Sequence, residues 1–592
     1  MNRRHFLTAC LAPCFAGGQE GPPRPERVEA LTAGPTPRIA LNHLGFLPDA
    51  SKRIVIRASG RDAPREFLVR DIGSNRFGWG GEPPVPRELT RPLTGVACDF
   101  GPALTGDFTE LRRTAMYQAS IPGERSVPFF IRPDLWRRTL QKAVSYIHAQ
   151  RCGAEVPGVH PICHLDDARR RDTGEHRDVV GGWHDAGDLR KWMSATMANG
   201  FALLELLDSG LEAPGVDPAA LAEEFRWGNQ YFLKMQDADG LVFHDTAGGV
   251  NGDNSDNHWT DNRPGTADDR HINPSKPGFI QALFTALEAT AARVLAKRDK
   301  DYAARCREAA RRCYAASRPG GGTNDLSFWT RAALALYRAT GEESYARDAA
   351  RLAGELAALA YSEFPGSQKI VRGFWRSGPG DPAPFVNAVY SAYPAIALLE
   401  AAAALPRHGD AARWRDTVRL YLDGYVLPMT ARNAYAIVPY GLFFGSPTPE
   451  HYRPLEGELT YRYFMPVRKQ FWWLGMTSHL EGHAVLLALA ARQFSQPRYR
   501  ELAFRQLEWV MGANPFGACL MTGEGMRNPY PHSRYVGLLI GGIMNGIAGN
   551  TRDEPVLDME FGYDWRTTEY WSPHNAHYIW AVTVLESSGP RA

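Results

Sequence analysis

Cysteine is scarce, with eight in 592 residues, and two of them, Cys10 and Cys14, fall within the first 18. That density excludes a disulfide scaffold, and a chain of this length buries enough core to need none. An excess of charge is also missing: 67 Lys and Arg stand against 65 Asp and Glu, leaving a formal +2. Such a balance provides no field to hold a polyanion, which removes nucleic acid and acidic membrane surfaces as partners. Long apolar runs are lacking as well. The longest, 536–547, is broken by glycines and Asn545 and is far short of the roughly 18 to 20 residues of a membrane span. What remains is a globular composition, 44% hydrophobic and 22% charged, long enough for two or three domains of roughly 100–200 residues.

Residues 1–18 carry Arg3-Arg4 ahead of the short apolar stretch 6–16, with Cys10 after Leu7-Thr8-Ala9. This predicts an export signal of twin-arginine or lipoprotein type, placing the protein in the periplasm, outside the cell or on a lipid anchor. Residues 19–37, rich in Gly, Pro and Arg, read as a linker. From 38 to 132, short β-type runs at 39–42, 53–58, 66–71, 117–121 and 127–131 alternate with Gly and Pro punctuation, the pattern of a small β-sandwich.

The register changes after Pro133. Eleven segments between 135 and 511 carry helical spacing, and many are rich in Ala and Leu. With no strand run of note and no G-x-G-x-x-G opening a helix, residues 133–588 are predicted to be all-α, as a solenoid or a closed ring of helical hairpins. Cys306 and Cys313 lie seven apart on one such helix, roughly 10 Å apart, and are expected to be buried thiols. Long loops at 156–188, 243–277, 364–384, 435–473 and 512–574 collect Asp, His, Arg, Gly and aromatics. Loops of that length in a compact domain usually carry function, so one end of the helical domain should hold a site.

The strongest local signal is Gly181-Gly182-Trp183-His184-Asp185-Ala186-Gly187-Asp188. Two carboxylates three apart, in a chain that glycines allow to turn tightly, can hold and deprotonate one water. The second signal is Glu569 in Asp564-Trp565-Arg566-Thr567-Thr568-Glu569-Tyr570-Trp571. Aromatic surroundings disfavour its ionised form and keep it able to donate a proton. Asp185 and Asp188 opposite Glu569 make a base and acid pair suited to cleaving a glycosidic bond.

These motifs, with Gly512-Ala513-Asn514-Pro515, Gly523-Glu524-Gly525, Pro531-His532-Ser533-Arg534 and Asn575-Ala576, resemble in order and spacing glycoside hydrolase family 9, which contains cellulases. The opening 39–48 also resembles the immunoglobulin-like module that precedes one branch of that family. The resemblance implies an (α/α)6 barrel with an open cleft on its loop face, preceded by an immunoglobulin-like β-sandwich, and inverting hydrolysis of a β-glycosidic bond. It implies Asp188 as general base, Asp185 as a second holder of the water and Glu569 as general acid. His532 and Arg534 match the pair that contacts the sugar beside the scissile bond. Inversion needs room for the water, so Asp188 and Glu569 are expected roughly 6.5–9.5 Å apart.

Cys152, Cys163, His164 and His184 supply two thiolates and two imidazoles, the set of a closed structural zinc site, and members of the same branch carry zinc at matching positions. Zinc on His184 would lock the turn presenting Asp185 and Asp188. The acids at 253, 256, 261, 268 and 269 offer oxygen ligands suited to calcium, without the spacing of an EF-hand. Trp259, Trp375, Trp472, Trp473, Tyr535 and Trp571 lie in the long loops, where aromatic faces stack on sugars or pack in the core.

Departures from the family pattern cluster near the acid: Thr568 stands where Asn is usual, Tyr570-Trp571-Ser572-Pro573-His574 replaces small and aliphatic residues, and Met544-Asn545 replaces Pro-Asn. The leading expectation is hydrolysis of β-1,4-glucan or its oligosaccharides by a monomer. The alternatives are the same chemistry on another β-linked glycan, such as a glucosamine-containing or mixed-linkage polymer, and carbohydrate binding without catalysis.

Overall fold

A computed structural model of the protein describes residues 36–58, 63–73, 88–249, 253–362, 370–448, 453–465 and 474–587. The expected signal at 1–18, nearly all of the linker, and Trp472 and Trp473 lie outside the described residues. The chain begins with ten strands: β1 (Ile39–Ala40), β2 (Gly45–Phe46), β3 (Arg53–Arg57), β4 (Glu66–Asp71), β5 (Glu88–Pro92), β6 (Thr94–Val96), β7 (Ala103–Asp107), β8 (Ala115–Ile121), β9 (Glu124–Arg125) and β10 (Phe129–Ile131). They form two sheets, β1-β3-β7-β6 and β2-β10-β8-β4-β5, with β9 on β8. Pairing is antiparallel except between β10 and β2.

Period-2 alternation sends Phe67, Val69, Tyr117, Ala119 and Ile121 inward to meet Ile54, Ile56 and Phe129 in a core shared by both sheets. Val55, on the opposite face of β3, joins Ala40 and Ala103 in the main core of the helical body. The first sheet is therefore covered on both faces, which explains the unbroken Ile54-Val55-Ile56. Strands β5 to β7 escaped the sequence reading. β5, Glu88-Leu89-Thr90-Arg91-Pro92, is an edge strand with no fully buried side chain, and its sequence carries no apolar alternation.

Twelve helices of ten or more residues follow among the described residues: α1 (Leu140–Ala149), α2 (Met193–Ser209), α3 (Pro218–Lys234), α4 (Gly278–Val294), α5 (Lys300–Ala316), α6 (Thr323–Thr340), α7 (Glu343–Ala358), α8 (Tyr393–Ala404), α9 (Ala411–Tyr421), α10 (Thr477–Phe494), α11 (Pro497–Val510) and α12 (Ser572–Glu586). Local chemistry sets several ends. Asp217 accepts from the Ala219 and Ala220 N–H groups with Pro218 in the first turn of α3, and Gly210 and Gly341 close α2 and α6 in left-handed conformation.

The even-numbered helices pack each on the next, α2 to α12, and α12 returns to α2 to close a ring. Each odd-numbered helix lies outside, α3 on α2, α5 on α4 and so on round to α1 on α12. The architecture is an (α/α)6 barrel. Outer helices are amphipathic: α7 buries Ala346, Ala349, Ala350, Leu352, Ala353, Leu356 and Ala357 and exposes its charges. Inner helices are buried all round, and α12 buries every residue from Ser572 to Leu585. Cys306 and Cys313 are buried free thiols on α5, as expected.

Four short strands in the loops, β11 (Arg169–Arg170), β12 (Lys191–Trp192), β13 (Asp245–Thr246) and β14 (His271–Asn273), make one sheet in the order β11-β14-β13-β12. This sheet ties the 156–188 loop to the 243–277 loop at one end of the barrel.

Candidate active site and metal centre

The turn at 181–188 owes its path to two close approaches. Gly182 has φ +81°, and a Cβ there would lie 2.8 Å from the Tyr231 ring. At Gly187 a Cβ would lie 2.3 Å from the His532 carbonyl oxygen and 3.1 Å from Glu569 Cγ. Only a bare Cα lets the two segments meet there. The chain is stitched accordingly: the Gly187 N–H donates to Tyr570 O (3.0 Å), the Arg534 N–H to Gly187 O (2.7 Å) and the Ser572 N–H to Asp185 O (2.8 Å). A parallel bridge joins His532 to Glu569. Segments about 380 residues apart in sequence thus bring Asp185, Asp188 and Glu569 together.

Each carboxylate has its own surroundings. Buried Asp185 accepts from the Trp192 N–H (3.3 Å) and the Trp571 indole (3.2 Å). Asp188, partly accessible, accepts from the Arg190 N–H (3.1 Å) and the Asn257 amide (2.7 Å). The Glu569 carboxyl has no hydrogen-bond partner among the described residues and is partly accessible. Burial, followed by the charges of Asp188 and Asp185, pushes Glu569 well above the usual carboxylate range, with Arg534 opposing. Burial and the Asp188 charge likewise push Asp185 well above its ordinary value, against Arg190 and the two donors. The site can therefore keep a proton at Glu569.

His532 donates from Nδ1 to Gly562 O (2.7 Å), which fixes the orientation of its ring. Arg534 is exposed and its guanidinium donates to Asn257 O, which ties it to the residue that holds Asp188.

The aromatic expectations divide. Trp259 is 40% exposed and lies parallel to the His164 imidazole, 5.6 Å between centroids and 12° between planes. It covers the cysteine and histidine cluster. Tyr535 is buried, with its hydroxyl accepting from His184 Nδ1 (2.6 Å) and donating to Gln150 Oε1. Trp375 is 3% exposed and donates to Leu356 O (3.0 Å). Buried rings with their polar edges satisfied offer no open face to a sugar, so Tyr535 and Trp375 act in packing instead.

Cys152, Cys163, His164 and His184 are all buried, with one ligand atom from each within 4.8 Å of every other. His164 Nδ1 stands 3.3 Å from His184 Nε2 and 3.5 Å from Cys152 Sγ. A tetrahedron with Zn–N of about 2.0 Å and Zn–S of about 2.3 Å has edges of about 3.3–3.8 Å, so the spacing fits. The remaining ring nitrogens are spoken for, since His164 Nε2 meets His258 O (3.0 Å) and His184 Nδ1 meets Tyr535. Both lone pairs are thereby turned toward the shared centre, which suits a cation.

Sequence reasoning missed the support beneath this turn. Asp167, fully buried, receives Arg270 through two nitrogens (2.8 and 2.6 Å) and Lys191 Nζ (2.6 Å). Arg270 also donates to Leu189 O (2.6 Å) and Lys191 to Gly181 O (3.1 Å), so this ion cluster grips both ends of the turn. Asn257 and Trp571 were likewise not assigned to the carboxylates they hold. Of the five acids read as calcium ligands, Asp268 and Asp269 meet Asp166, with ligand atoms within 4.8 Å. Arg169 pairs with Asp269 (2.8 Å), whereas Asp256 accepts from the His271 N–H (2.9 Å) and Asp261 from the Arg263 N–H (2.8 Å).

Gly187→Ala is expected to reduce turnover roughly 10²-fold, because displacement of a reacting group by about 1 Å costs that much. Circular dichroism and melting should show a folded protein; undiminished turnover would mean that the close approach is not needed.

Residues 136–539 match the family model for glycosyl hydrolase family 9. Endoglucanase D of Acetivibrio thermocellus is 25% identical over 369 residues, 55% of each chain. Endoglucanase C of Cellulomonas fimi is 27% identical over 373 residues, 52% of this chain and 32% of its own. The chain thus spans about half or less of the length of these curated relatives. Among solved structures, a metagenome-derived glycoside hydrolase family 9 endoglucanase superposes with a TM-score of 0.67 at 22% identity, covering 93% of this chain and 99% of that one. A zinc-binding triple mutant of another family 9 endoglucanase superposes at 0.63 with 24% identity, over 91% and 99%. At these identities the superpositions establish the fold.

Proposed function

The chain belongs to glycosyl hydrolase family 9, and on that premise we propose that it hydrolyses β-1,4-glucosidic bonds in cellulose-like glucans or their oligosaccharides, with inversion. The observation that carries this reading is the meeting of Asp185, Asp188 and Glu569 across Gly187. In it, Asp188 takes a proton from a water that attacks the anomeric carbon. Glu569 gives its proton to the glycosidic oxygen as the C–O bond breaks, and the β-linked sugar leaves as the α-anomer. Asp185 shares the water with Asp188, and His532 Nε2 and Arg534 contact the sugar beside the bond. Residues 38–132 act as an immunoglobulin-like module packed on a catalytic domain at 133–588, and the protein works outside the cytoplasm.

The test is incubation with a panel of β-glycans while proton NMR follows the anomer released. Early α-anomer from a β-1,4-glucan is the expected result. Activity confined to another β-glycan would move the substrate, and early β-anomer would overturn the mechanism.

Zinc is the proposed occupant of Cys152, Cys163, His164 and His184, where four protein ligands close the site and leave its role structural. Elemental analysis should find one zinc per chain; calcium found beside it would point to Asp166, Asp268 and Asp269. Cys152→Ser or His184→Ala should remove the zinc, lower Tm by several degrees and cut turnover about 10–100-fold through the turn at Asp185. A zinc-free parent protein with an unchanged Tm would rule the site out.

A further inference from the structure

Next to His532 lies a turn that none of the roles above uses. Phe561 and Tyr563 are 55% and 65% exposed, and their rings are parallel, 5.4 Å apart with 11° between planes. Large aromatics exposed singly are ordinary on a protein surface, but a parallel pair on a fixed backbone is a built feature. The fixing comes from Asp558, a buried carboxylate that accepts four backbone N–H groups: Glu560 (3.2 Å), Phe561 (3.1 Å), Tyr563 (2.7 Å) and Asp564 (3.2 Å). From the other side, Gly562 O receives His532 Nδ1 (2.7 Å). Tyr530, 58% exposed, donates its N–H to Met559 O (3.3 Å) and packs its ring against Gly562. The turn is thus locked to the histidine placed beside the scissile bond and holds apolar ring surface in water.

We propose that Phe561 and Tyr563 form an aromatic shelf that binds a pyranose ring of the glycan beyond the sugar held at His532. The C–H face of a pyranose is the ligand chemistry such a surface takes, and fixed side chains bind it with little ordering cost. The occupant is a sugar of the same chain because the turn that carries the shelf is hydrogen-bonded through Gly562 O to His532, the residue placed beside the scissile bond. This inference rests on the glycosidase reading for its substrate, and its test separates the two.

Parent protein, a Phe561→Ala/Tyr563→Ala double variant and the conservative Tyr563→Phe are compared with cellohexaose and an aryl cellobioside. Binding of cellohexaose is measured in parallel by calorimetry in a Glu569→Gln background. The double variant should raise KM for cellohexaose and its Kd about tenfold, and should raise KM for the aryl cellobioside far less. Tyr563→Phe, which keeps the ring, should restore parent values. Equal losses on long and short substrates would make the turn a structural support and overturn the shelf, as would unchanged cellohexaose binding. If the parent binds cellohexaose with shelf dependence yet hydrolyses nothing, the shelf stands and the glycosidase reading fails. If the parent neither binds nor cleaves cellohexaose, both fail.

Discussion

Glu569→Gln is expected to lower turnover on a glucan about 10²–10⁴-fold, the range a positioned general acid contributes. The amide keeps the shape of the side chain and removes the proton. An activated aryl glycoside, whose leaving group needs no protonation, should suffer much less. The pH profile provides a second reading. Burial and the neighbouring Asp188 and Asp185 charges raise the Glu569 pKa, so the acid is competent below that raised value and lost as pH climbs through it. The variant should therefore lack the alkaline limb of the parent profile. Stability should move the opposite way. An unfolded Glu releases its proton at about pH 4.3, whereas the folded one retains it to higher pH. The parent accordingly loses stability as pH rises from there through the folded pKa. Gln carries no such penalty, and thermal melts at pH 8 should place the variant at or above the parent. Loss of turnover with no loss of Tm distinguishes a missing acid from a damaged fold; full turnover with Gln would remove Glu569 from the chemistry.

What the sequence made legible follows from where periodicity survives. The outer helices carry an apolar face at helical spacing, and their places were readable within a few residues; α7 was expected over 345–360 and runs over Glu343–Ala358. Helix α12 was not read, because it lacks the Ala- and Leu-rich run that marked the other inner helices. Its His574, Asn575 and His577 further disguise it as loop. A ring needs that twelfth helix to close, so solenoid and barrel were not separable by periodicity alone. In the site, the acidic motifs were legible because their residue types are rare between glycines and aromatics. The groups that tune them were not. Asn257 acts on Asp188 across 69 residues and Trp571 on Asp185 across 386, and neither distance leaves a local signature. The aromatic expectations divide for a related reason: a Trp in a long loop is either platform or packing, and only its burial decides. Trp375 and Tyr535 are interior, while Phe561 and Tyr563, unassigned from sequence, are the exposed pair.

Asp188→Asn should cost about 10²–10⁴-fold in turnover, and the comparison with Asp185→Asn decides which carboxylate is the base. Asp185 is buried, receives the Trp571 indole and the Trp192 N–H, and is pushed upward by burial and by the Asp188 charge. When two close carboxylates compete for one proton, the more buried keeps it. Asp188, nearer solvent and held by the Arg190 N–H and the Asn257 amide, is then the carboxylate placed to receive the proton of the attacking water. Replacing Asp185 by Asn substitutes a neutral group for one already largely neutral, and the variant should retain far more turnover than Asp188→Asn. Asn257→Ala frees one Asp188 oxygen and should lower kcat about tenfold with little change in KM, as expected when geometry in the transition state is what suffers. If Asp185→Asn is the more damaging substitution, the two roles are reversed and the water lies deeper in the turn, against Trp571.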